Sequence, residues 1–125
     1  MKTMGFPLLG PHYNTFPTDS ALTQTLTTLT GGAACAFGTS ETVTGSAALA
    51  EVLYRRFGVA VESMEGAAAA QVCTAFSVPF AELRAVSNVV GERDKTRWVL
   101  SDAVRAVNRA VLGFVSDVSG GSGQS

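Results

Sequence analysis

The sequence predicts an α/β domain in which a parallel or mixed sheet carries helices on its faces. Short apolar runs alternate with amphipathic helical patterns along most of the chain, and this alternation is typical of such sheets. The 125 residues are 46% hydrophobic and 15% charged, a balance that suits one modest buried core. We therefore expect a single domain over residues 19–118.

The chain begins with an irregular arm and a short helix. Proline, glycine and aromatic residues are interleaved over residues 1–18, so we expect no regular structure there. A helix should follow from Thr18 or Asp19 and end at Gly31, because polar capping residues precede it and glycines follow it. Its apolar positions recur at helical spacing: Ala21, Leu22, Leu26 and Leu29.

Two strands with a helix between them are predicted next. Residues 33–37 form a short apolar run that reads as a buried strand, and a polar loop follows over residues 39–45. Thr44 or Ser46 should cap the second helix. Gly58 should end it, and residues 59–61 should form the second strand.

An alanine-rich helix, a third strand and a final helix complete the pattern. The helix should begin at Glu65 and run to Phe76, with Pro79 enforcing its end, and it is apolar on nearly all sides, which indicates burial. Residues 78–86 read as a central strand. A polar loop over residues 87–95 should lead into an amphipathic helix at 96–115, and the tail at 119–125 should be disordered.

Composition also limits the partners that we expect. The net charge is −1 and basic residues do not cluster, which argues against binding to nucleic acid or an anionic membrane. No stretch approaches the roughly 20 apolar residues of a membrane-spanning helix, and no signal peptide is recognisable, so we expect a cytoplasmic protein. Cys35 and Cys73 read as buried, inert side chains, and we expect no metal site and no cofactor.

Polar residues gather in three loops that follow predicted strands, where sites in such sheets lie. In one of them Glu65 stands between a strand and the first turn of a helix, where its carboxylate can accept two hydroxyl hydrogen bonds. The alternative role is an ordinary acidic residue at a helix N-terminus. In another loop Asn88 ends the third strand, and its alternative role is a common turn residue.

The order of these motifs resembles the nucleoside phosphorylase and nucleosidase superfamily. The sequence reads ESMEG at residues 62–66, then an alanine-rich helix, VPF at 78–80 and RAVSN at 84–88. The pairing of ESMEG with SNVVGERD and Trp98 is most similar to the futalosine hydrolases. The resemblance covers about residues 5–116 and implies a three-layer α/β/α nucleoside-phosphorylase-like fold, present here only in its C-terminal part.

The resemblance also implies roles for five residues in binding a purine nucleoside. Glu65 would bind the ribose hydroxyls, Met64 would lie against the sugar, Thr42 and Val43 would flank the purine, and Asn88 would face the base. An amide can accept from a purine N7–H and donate to a 6-oxo group, whereas an aspartate would suit a 6-amino purine. Asn88 therefore favours hypoxanthine over adenine as the leaving group and leaves guanine open, with Glu65 and Asn88 as the catalytic residues.

One departure from the superfamily limits this expectation. No part of residues 1–35 resembles the first strand and glycine-containing loop that supply the water-orienting carboxylate of hydrolases or the phosphate site of phosphorylases. We expect the sheet to be incomplete and activity to require a complementary N-terminal half, with homo-oligomer formation also possible. The alternatives are a 6-oxopurine nucleoside phosphorylase and a non-catalytic fragment that binds a partner.

Several further residues have two readings. His12, Tyr13 and Phe16 could contact an aromatic 5′-group, or they could be surface residues of the arm. Arg84, Arg93 and Arg97 could grip a substrate carboxylate, or they could form ion pairs with Glu82, Glu92 or Asp94.

Overall fold

The structure is a computed structural model that describes residues 15–91 and 94–120. Within these residues lie four helices and two strands, with a 3-10 turn at Lys95–Arg97 before the last helix. In order these elements are α1 (Ser20–Thr30), β1 (Ala36–Thr39), α2 (Ala47–Phe57), β2 (Val59–Ser63), α3 (Gly66–Ala75) and α4 (Leu100–Gly120). The predicted α/β class is confirmed.

The two strands pair in parallel and are joined by α2. The register begins with Ala36 opposite Val59 and ends with Thr39 opposite Ser63. A parallel pair needs a crossover connection, and α2 provides it. The carboxyl ends of both strands therefore lie at one edge of the sheet, as the site prediction requires.

The predicted ends of α1 and α2 are confirmed. The Asp19 side chain accepts from the Leu22 backbone N–H at 2.8 Å and caps α1. Ser46, one of the two predicted caps, does the same for α2 by accepting from the Leu49 N–H at 3.3 Å. Gly58 ends α2 in a left-handed conformation with φ of 70°. These caps act over three or four residues, which is why the local sequence predicts them.

Residues 78–86 do not form the predicted central strand. A strand is defined by its partners, and among the described residues the sheet contains only β1 and β2. Backbone hydrogen bonds instead connect Phe80 of this segment to the residue before α1, and the next residue after the segment, Ser87, to the residue before α4. The Asp19 N–H donates to Phe80 O at 2.7 Å, and the Val99 N–H donates to Ser87 O at 2.9 Å.

The boundaries of β1 and of the last helix differ from the predictions, and β2 continues two residues further than predicted, to Ser63. β1 lies at Ala36–Thr39 instead of residues 33–37, because its pairing with β2 starts only at Ala36. The last helix begins at Leu100, four residues late, because Asp94 caps a separate 3-10 turn and the Val99 N–H bonds to Ser87. It continues to Gly120, so Ser119 and Gly120, which we expected in a disordered tail, belong to α4.

The prediction that α3 is buried on several sides is wrong. Only Gly66 and Ala70 of this helix are buried, and Phe76 at its end is 77% exposed. Cys35 is exposed instead of buried, and Cys73 is half-buried. The physical reason is the same in each case, since the elements among the described residues cover these side chains on one side at most.

The apolar core of the described residues is small. Ala70 and Ala103 are its buried apolar residues, and no large side chain is completely buried there. Large apolar side chains are exposed on several elements, including Val52, Tyr54, Val72, Phe76, Leu112 and Val115. Helix α1 packs against α4, while α2 and α3 contact the sheet. Within residues 15–91 and 94–120, no helix combines the length and apolar character needed to cross a bilayer.

Candidate functional site

The carboxylate of Glu65 is exposed at the junction between β2 and α3. Glu65 is the N-cap residue of α3, but its side chain makes no capping hydrogen bond. Thr39, at the end of β1, takes over this function, because its Oγ1 accepts from the Ala67 N–H at 2.9 Å. The Glu65 side chain is 74% exposed and is therefore not used to satisfy its own helix.

A second contact of Thr39 joins the ends of the two strands. Thr39 Oγ1 lies 3.3 Å from the Oγ of Ser63, which is buried, and the Ser40 N–H donates to Ser63 O at 3.1 Å. The hydroxyl of Thr39 thus connects the end of β1, the end of β2 and the start of α3. This arrangement sets the position from which Glu65 projects.

Arg84 links Glu65 to the segment that carries Asn88. Its Nη2 lies 3.4 Å from Glu65 Oε2, and its Nε donates to Glu82 Oε1 at 2.5 Å. The hydrogen bond from Arg84 to Glu82 is the main reason why the pKa of Arg84 is raised above its usual value. The ion pair with Glu82, which was the alternative role for Arg84, is confirmed, and Glu65 is an additional partner.

Glu82 also packs against the start of α3. A Cβ placed on Gly66 would approach Glu82 Cδ at 2.8 Å, so the carboxylate occupies the space that glycine leaves. Residues 82–84 therefore lie directly against the helix N-terminus that carries Glu65. The chain segment that leads to Asn88 therefore passes beside Glu65, one of the two predicted catalytic residues.

Asn88 is half-buried and its amide is oriented by its neighbours. The Ser87 hydroxyl donates to Asn88 Oδ1 at 2.8 Å, and Asn88 Nδ2 donates to Val89 O at 3.1 Å. An amide oxygen can accept two hydrogen bonds and an amide nitrogen can donate two. Each end of the Asn88 side chain therefore keeps capacity for one further hydrogen bond.

The turn after Asn88 contacts the beginning of α2. A Cβ on Gly91 would lie 2.9 Å from the backbone N of Ala47 and 3.1 Å from the carbonyl carbon of Ser46. The loop over residues 40–44, which we call the 40–44 loop, leads directly into this start of α2. The Asn88 turn and the 40–44 loop are thus neighbours.

The other predicted site residues are exposed at this same region. In the 40–44 loop Thr42 is exposed and Val43 is 65% exposed, and Met64, just after β2, is 51% exposed. These side chains leave apolar surface open to solvent at the carboxyl ends of the strands. Among the residues with two possible roles, three lie outside the described residues: His12, Tyr13 and Arg93. Phe16 is described and is half-buried.

Glu62 is a residue that the sequence analysis did not single out. Its Oε1 accepts from Ser40 Oγ at 2.8 Å and from the Thr44 N–H at 2.9 Å. Burial opposes ionisation of Glu62, but hydrogen bonds from the Thr44 side chain and backbone and from Ser40 prevail and lower its pKa. The available signal was a glutamate directly after the apolar run of residues 59–61, since a charged residue in a half-buried strand needs a partner.

The segments at the carboxyl ends of the strands and the segment packed beside them thus carry an exposed carboxylate, an oriented amide and exposed apolar side chains. Such a set can bind a ligand that has hydroxyl groups, a flat apolar body and a hydrogen-bonding edge. In the part of the chain that the structure describes, no three His, Cys, Asp or Glu side chains come close enough together to hold a metal ion.

Comparisons with known proteins identify relatives of the chain. The profile of the phosphorylase superfamily matches residues 10–116. The chain is 39% identical over 124 residues to a futalosine hydrolase of Thermus thermophilus, covering 96% of this chain. It is 47% identical over 74 residues to a futalosine hydrolase of Streptomyces coelicolor, and 40% identical over 89 residues to one of Acidothermus cellulolyticus, which cover 58% and 70% of this chain.

The matches cover only part of each relative. The aligned region is 55% of the Thermus protein, 32% of the Streptomyces protein and 36% of the Acidothermus protein. The chain thus spans little more than half the length of the Thermus relative. No solved structure is significantly similar to the chain.

Proposed function

The chain belongs to the phosphorylase superfamily, and from this premise we propose that it forms the substrate-binding part of a futalosine hydrolase. The reaction would cleave the N-glycosidic bond of futalosine and release hypoxanthine and dehypoxanthine futalosine during menaquinone biosynthesis in the cytoplasm. The observation that carries the proposal is the exposed carboxylate of Glu65, which is spared from capping α3 because Thr39 caps the helix.

Glu65 is proposed to bind the two ribose hydroxyls. A carboxylate has two oxygens and can accept from both hydroxyls of a cis-diol at once. As the purine leaves, the sugar gains positive charge, and a nearby carboxylate stabilises that charge more in the transition state than in the ground state. The 3.4 Å contact with Arg84 would hold the Glu65 carboxylate in place while leaving its other oxygen available.

Asn88 is proposed to recognise the hypoxanthine edge. Its Oδ1 already accepts from Ser87 and its Nδ2 already donates to Val89 O, so one acceptor and one donor position remain. These two positions match a protonated N7 and a 6-oxo group. Asn88 would then stabilise the base as it departs, while Thr42 and Val43 flank the purine and Met64 lies against the sugar.

Hydrolysis also needs a group that orients water on the opposite face of the sugar. None of the roles proposed for this chain supplies that group, and the matched region is 55% of the Thermus relative. We therefore propose that a complementary N-terminal half, or an oligomeric partner, completes the site. The exposed apolar side chains of α2, α3 and α4 support such a partner, because large exposed apolar areas mark interaction surfaces.

The first experiment measures the reaction in a completed protein. The chain is joined to the part of the Thermus relative that it does not match, and this product is called the joined protein. We expect it to release hypoxanthine from futalosine at the same rate with and without phosphate. Strict dependence on phosphate would contradict a hydrolase and favour a 6-oxopurine nucleoside phosphorylase, which Glu65 and Asn88 would serve equally well.

A third outcome would favour a different class of protein. If the 125-residue chain is folded and monomeric, binds no hypoxanthine, and the joined protein is silent toward nucleosides, then a non-catalytic fragment is the better description. Binding of hypoxanthine to the chain alone would exclude that description, because the base-binding residues would then be functional.

The second experiment tests the two catalytic residues in the joined protein. Glu65→Gln should lower kcat/KM by about 100-fold or more, since it removes a charge that acts on the transition state. Glu51→Gln is the matched control, because Glu51 is an exposed glutamate whose partner is Arg55 on the same helix. Equal activity of the two variants would contradict the role of Glu65.

The role of Asn88 is tested by substrate preference. Asn88→Asp should shift the preference from futalosine toward its 6-amino analogue, because the new carboxylate accepts from the amino group and repels the 6-oxo group. A mismatched buried hydrogen bond costs about 1–3 kcal/mol, so the ratio of the two kcat/KM values should change by about 5–150-fold. An unchanged ratio would show that Asn88 does not face the 6-position.

A further inference from the structure

We propose that Glu62 is a positioning residue that holds the 40–44 loop in the shape needed to bind the purine. This inference deepens the proposed function and rests on it, because it assumes that Thr42 and Val43 flank the base. Glu62 is distinct from the five residues to which the family resemblance gives a role. Glu62 would affect base binding by fixing the conformation of the loop, without contacting the substrate itself.

The geometry places one carboxylate oxygen between the two ends of the loop. In the register of the strands Glu62 lies opposite Gly38, and Gly38 is two residues before Ser40 in the chain. Its Oε1 accepts from the Ser40 hydroxyl at 2.8 Å and from the Thr44 N–H at 2.9 Å. A single atom of β2 therefore fixes both the first and the last residue of the 40–44 loop.

Two of the three residues between these anchors, Thr42 and Val43, are the ones that would meet the base. Thr44 is buried with a relative exposure of 4%, whereas Thr42 and Val43 are exposed. The Ser40 hydroxyl also lies 2.8 Å from Thr42 O, so the same group that contacts Glu62 limits the path of the loop. The loop thus has fixed ends and an exposed middle, in which Thr42 and Val43 follow the charged Glu41.

Fixing the loop in advance should increase affinity for the base. A loop that is free in the unbound protein must be ordered when the ligand binds, and this ordering lowers the affinity. The hydrogen bonds to Glu62 remove that requirement. The lowered pKa of Glu62 agrees with this role, because it shows that the loop favours the charged and strongly accepting form of the carboxylate.

The alternative is that Glu62 only joins β1 to β2. In that case its loss would lower the stability of the whole domain, but the fraction that remains folded would bind the base normally. The two roles are separated by measuring local exchange, affinity for the base and catalysis on the same variants.

The experiment compares four variants with the wild type, in both the chain and the joined protein. Glu62→Ala removes the acceptor, and Glu62→Gln keeps a carbonyl oxygen that can accept both hydrogen bonds. Ser40→Ala removes one donor from the loop and leaves Glu62 intact. Glu51→Ala is the control for the loss of an exposed carboxylate.

Four quantities are measured: the rate of hydrogen exchange of the Thr44 amide, the Kd for free hypoxanthine, and kcat and KM for futalosine. We expect Glu62→Ala to speed exchange at Thr44 and to raise both the Kd and KM by about 5–30-fold, with a smaller change in kcat. Glu62→Gln should stay within about threefold of the wild type. Ser40→Ala should change the Kd in the same direction as Glu62→Ala, and Glu51→Ala should change nothing.

Several results would overturn the proposal. The first is an unchanged rate of exchange at Thr44 in Glu62→Ala. The second is faster exchange in that variant with an unchanged Kd for hypoxanthine. The third is a Glu62→Gln variant that binds hypoxanthine as weakly as Glu62→Ala does. If Glu62→Ala does not fold, Ser40→Ala decides the same question. Failure of the wild-type joined protein to cleave futalosine would refute the proposed function, whereas exchange and hypoxanthine binding need no catalysis and would still decide the role of Glu62.

Discussion

Gly91 offers a sharp test of the contact between the Asn88 turn and α2. Its φ is 88°, and an added Cβ would approach the backbone N of Ala47 at 2.9 Å and the carbonyl carbon of Ser46 at 3.1 Å. Both of these atoms belong to the backbone at the start of α2, so neither can move aside by a change of rotamer. Gly91→Ala must therefore displace the turn, the helix start, or both.

The expected loss of stability has two parts. An L-residue in the left-handed region costs about 1–2 kcal/mol, and overpacking against a fixed neighbour costs about 1–3 kcal/mol. Gly91→Ala should then destabilise the protein by about 2–5 kcal/mol. Gly58→Ala is the matched control, because Gly58 has φ of 70° but no atom within 4 Å of an added Cβ, and it should lose only the first part.

Urea unfolding of the joined protein measures this difference, with the fluorescence of Trp98 as the signal. The same samples are titrated with hypoxanthine, because displacement of the Asn88 turn should weaken base binding in Gly91→Ala but not in Gly58→Ala. Equal unfolding free energies for the two variants would refute the reasoning, since they would mean that the turn does not press against α2.

Four further predictions follow from the same structure. Thr39→Val removes the acceptor for the Ala67 N–H and should lower the unfolding free energy by about 1 kcal/mol. Thr28→Val, on the exposed face of α1, should have little effect, and equal losses of unfolding free energy in a urea titration would contradict the capping role of Thr39. Ser77→Gly should raise the unfolding free energy by about 0.5–1 kcal/mol, because Ser77 has φ of 55°, and a decrease would contradict this expectation. Hydrogen bonds hold the pKa of Glu62 below its ordinary value of 4.5 despite burial. The contribution of the ionised carboxylate to stability is therefore complete above pH 4.5 and is lost as the pH falls through the lowered pKa. Glu62→Gln should reduce this acid dependence in unfolding titrations. The chain alone should bind a fluorescent apolar dye more strongly than the joined protein does, and equal binding would mean that the added half leaves the exposed apolar surface uncovered.

Much of the fold could be predicted because its signals are local. The caps at Asp19, Ser46 and Gly58 act on backbone groups within three or four residues, so short stretches of sequence contain both partners. The boundaries that depend on distant partners were predicted less well. The start of β1 depends on its pairing with Val59, and the start of α4 depends on a hydrogen bond from Val99 to Ser87.

The predicted strand at residues 78–86 shows the same limit in a stronger form. Its apolar pattern is typical of a buried strand, but a strand needs a partner as well as a pattern. Among the described residues β1 and β2 pair with each other alone. The burial expected for α3 and Cys35 failed for the same reason, because burial depends on what packs against a residue.

The sequence by itself determined the superfamily, the alternation of helices with parallel strands, and the identity of the polar residues at the strand ends. Tertiary structure alone decided how those residues are supported, as when Thr39 caps a helix 28 positions away and Glu62 holds a loop across 18 positions. The physical reason is that helix periodicity and capping depend on neighbours in the chain. A hydrogen bond between two strand ends depends on the register of the sheet, which no short stretch of sequence contains.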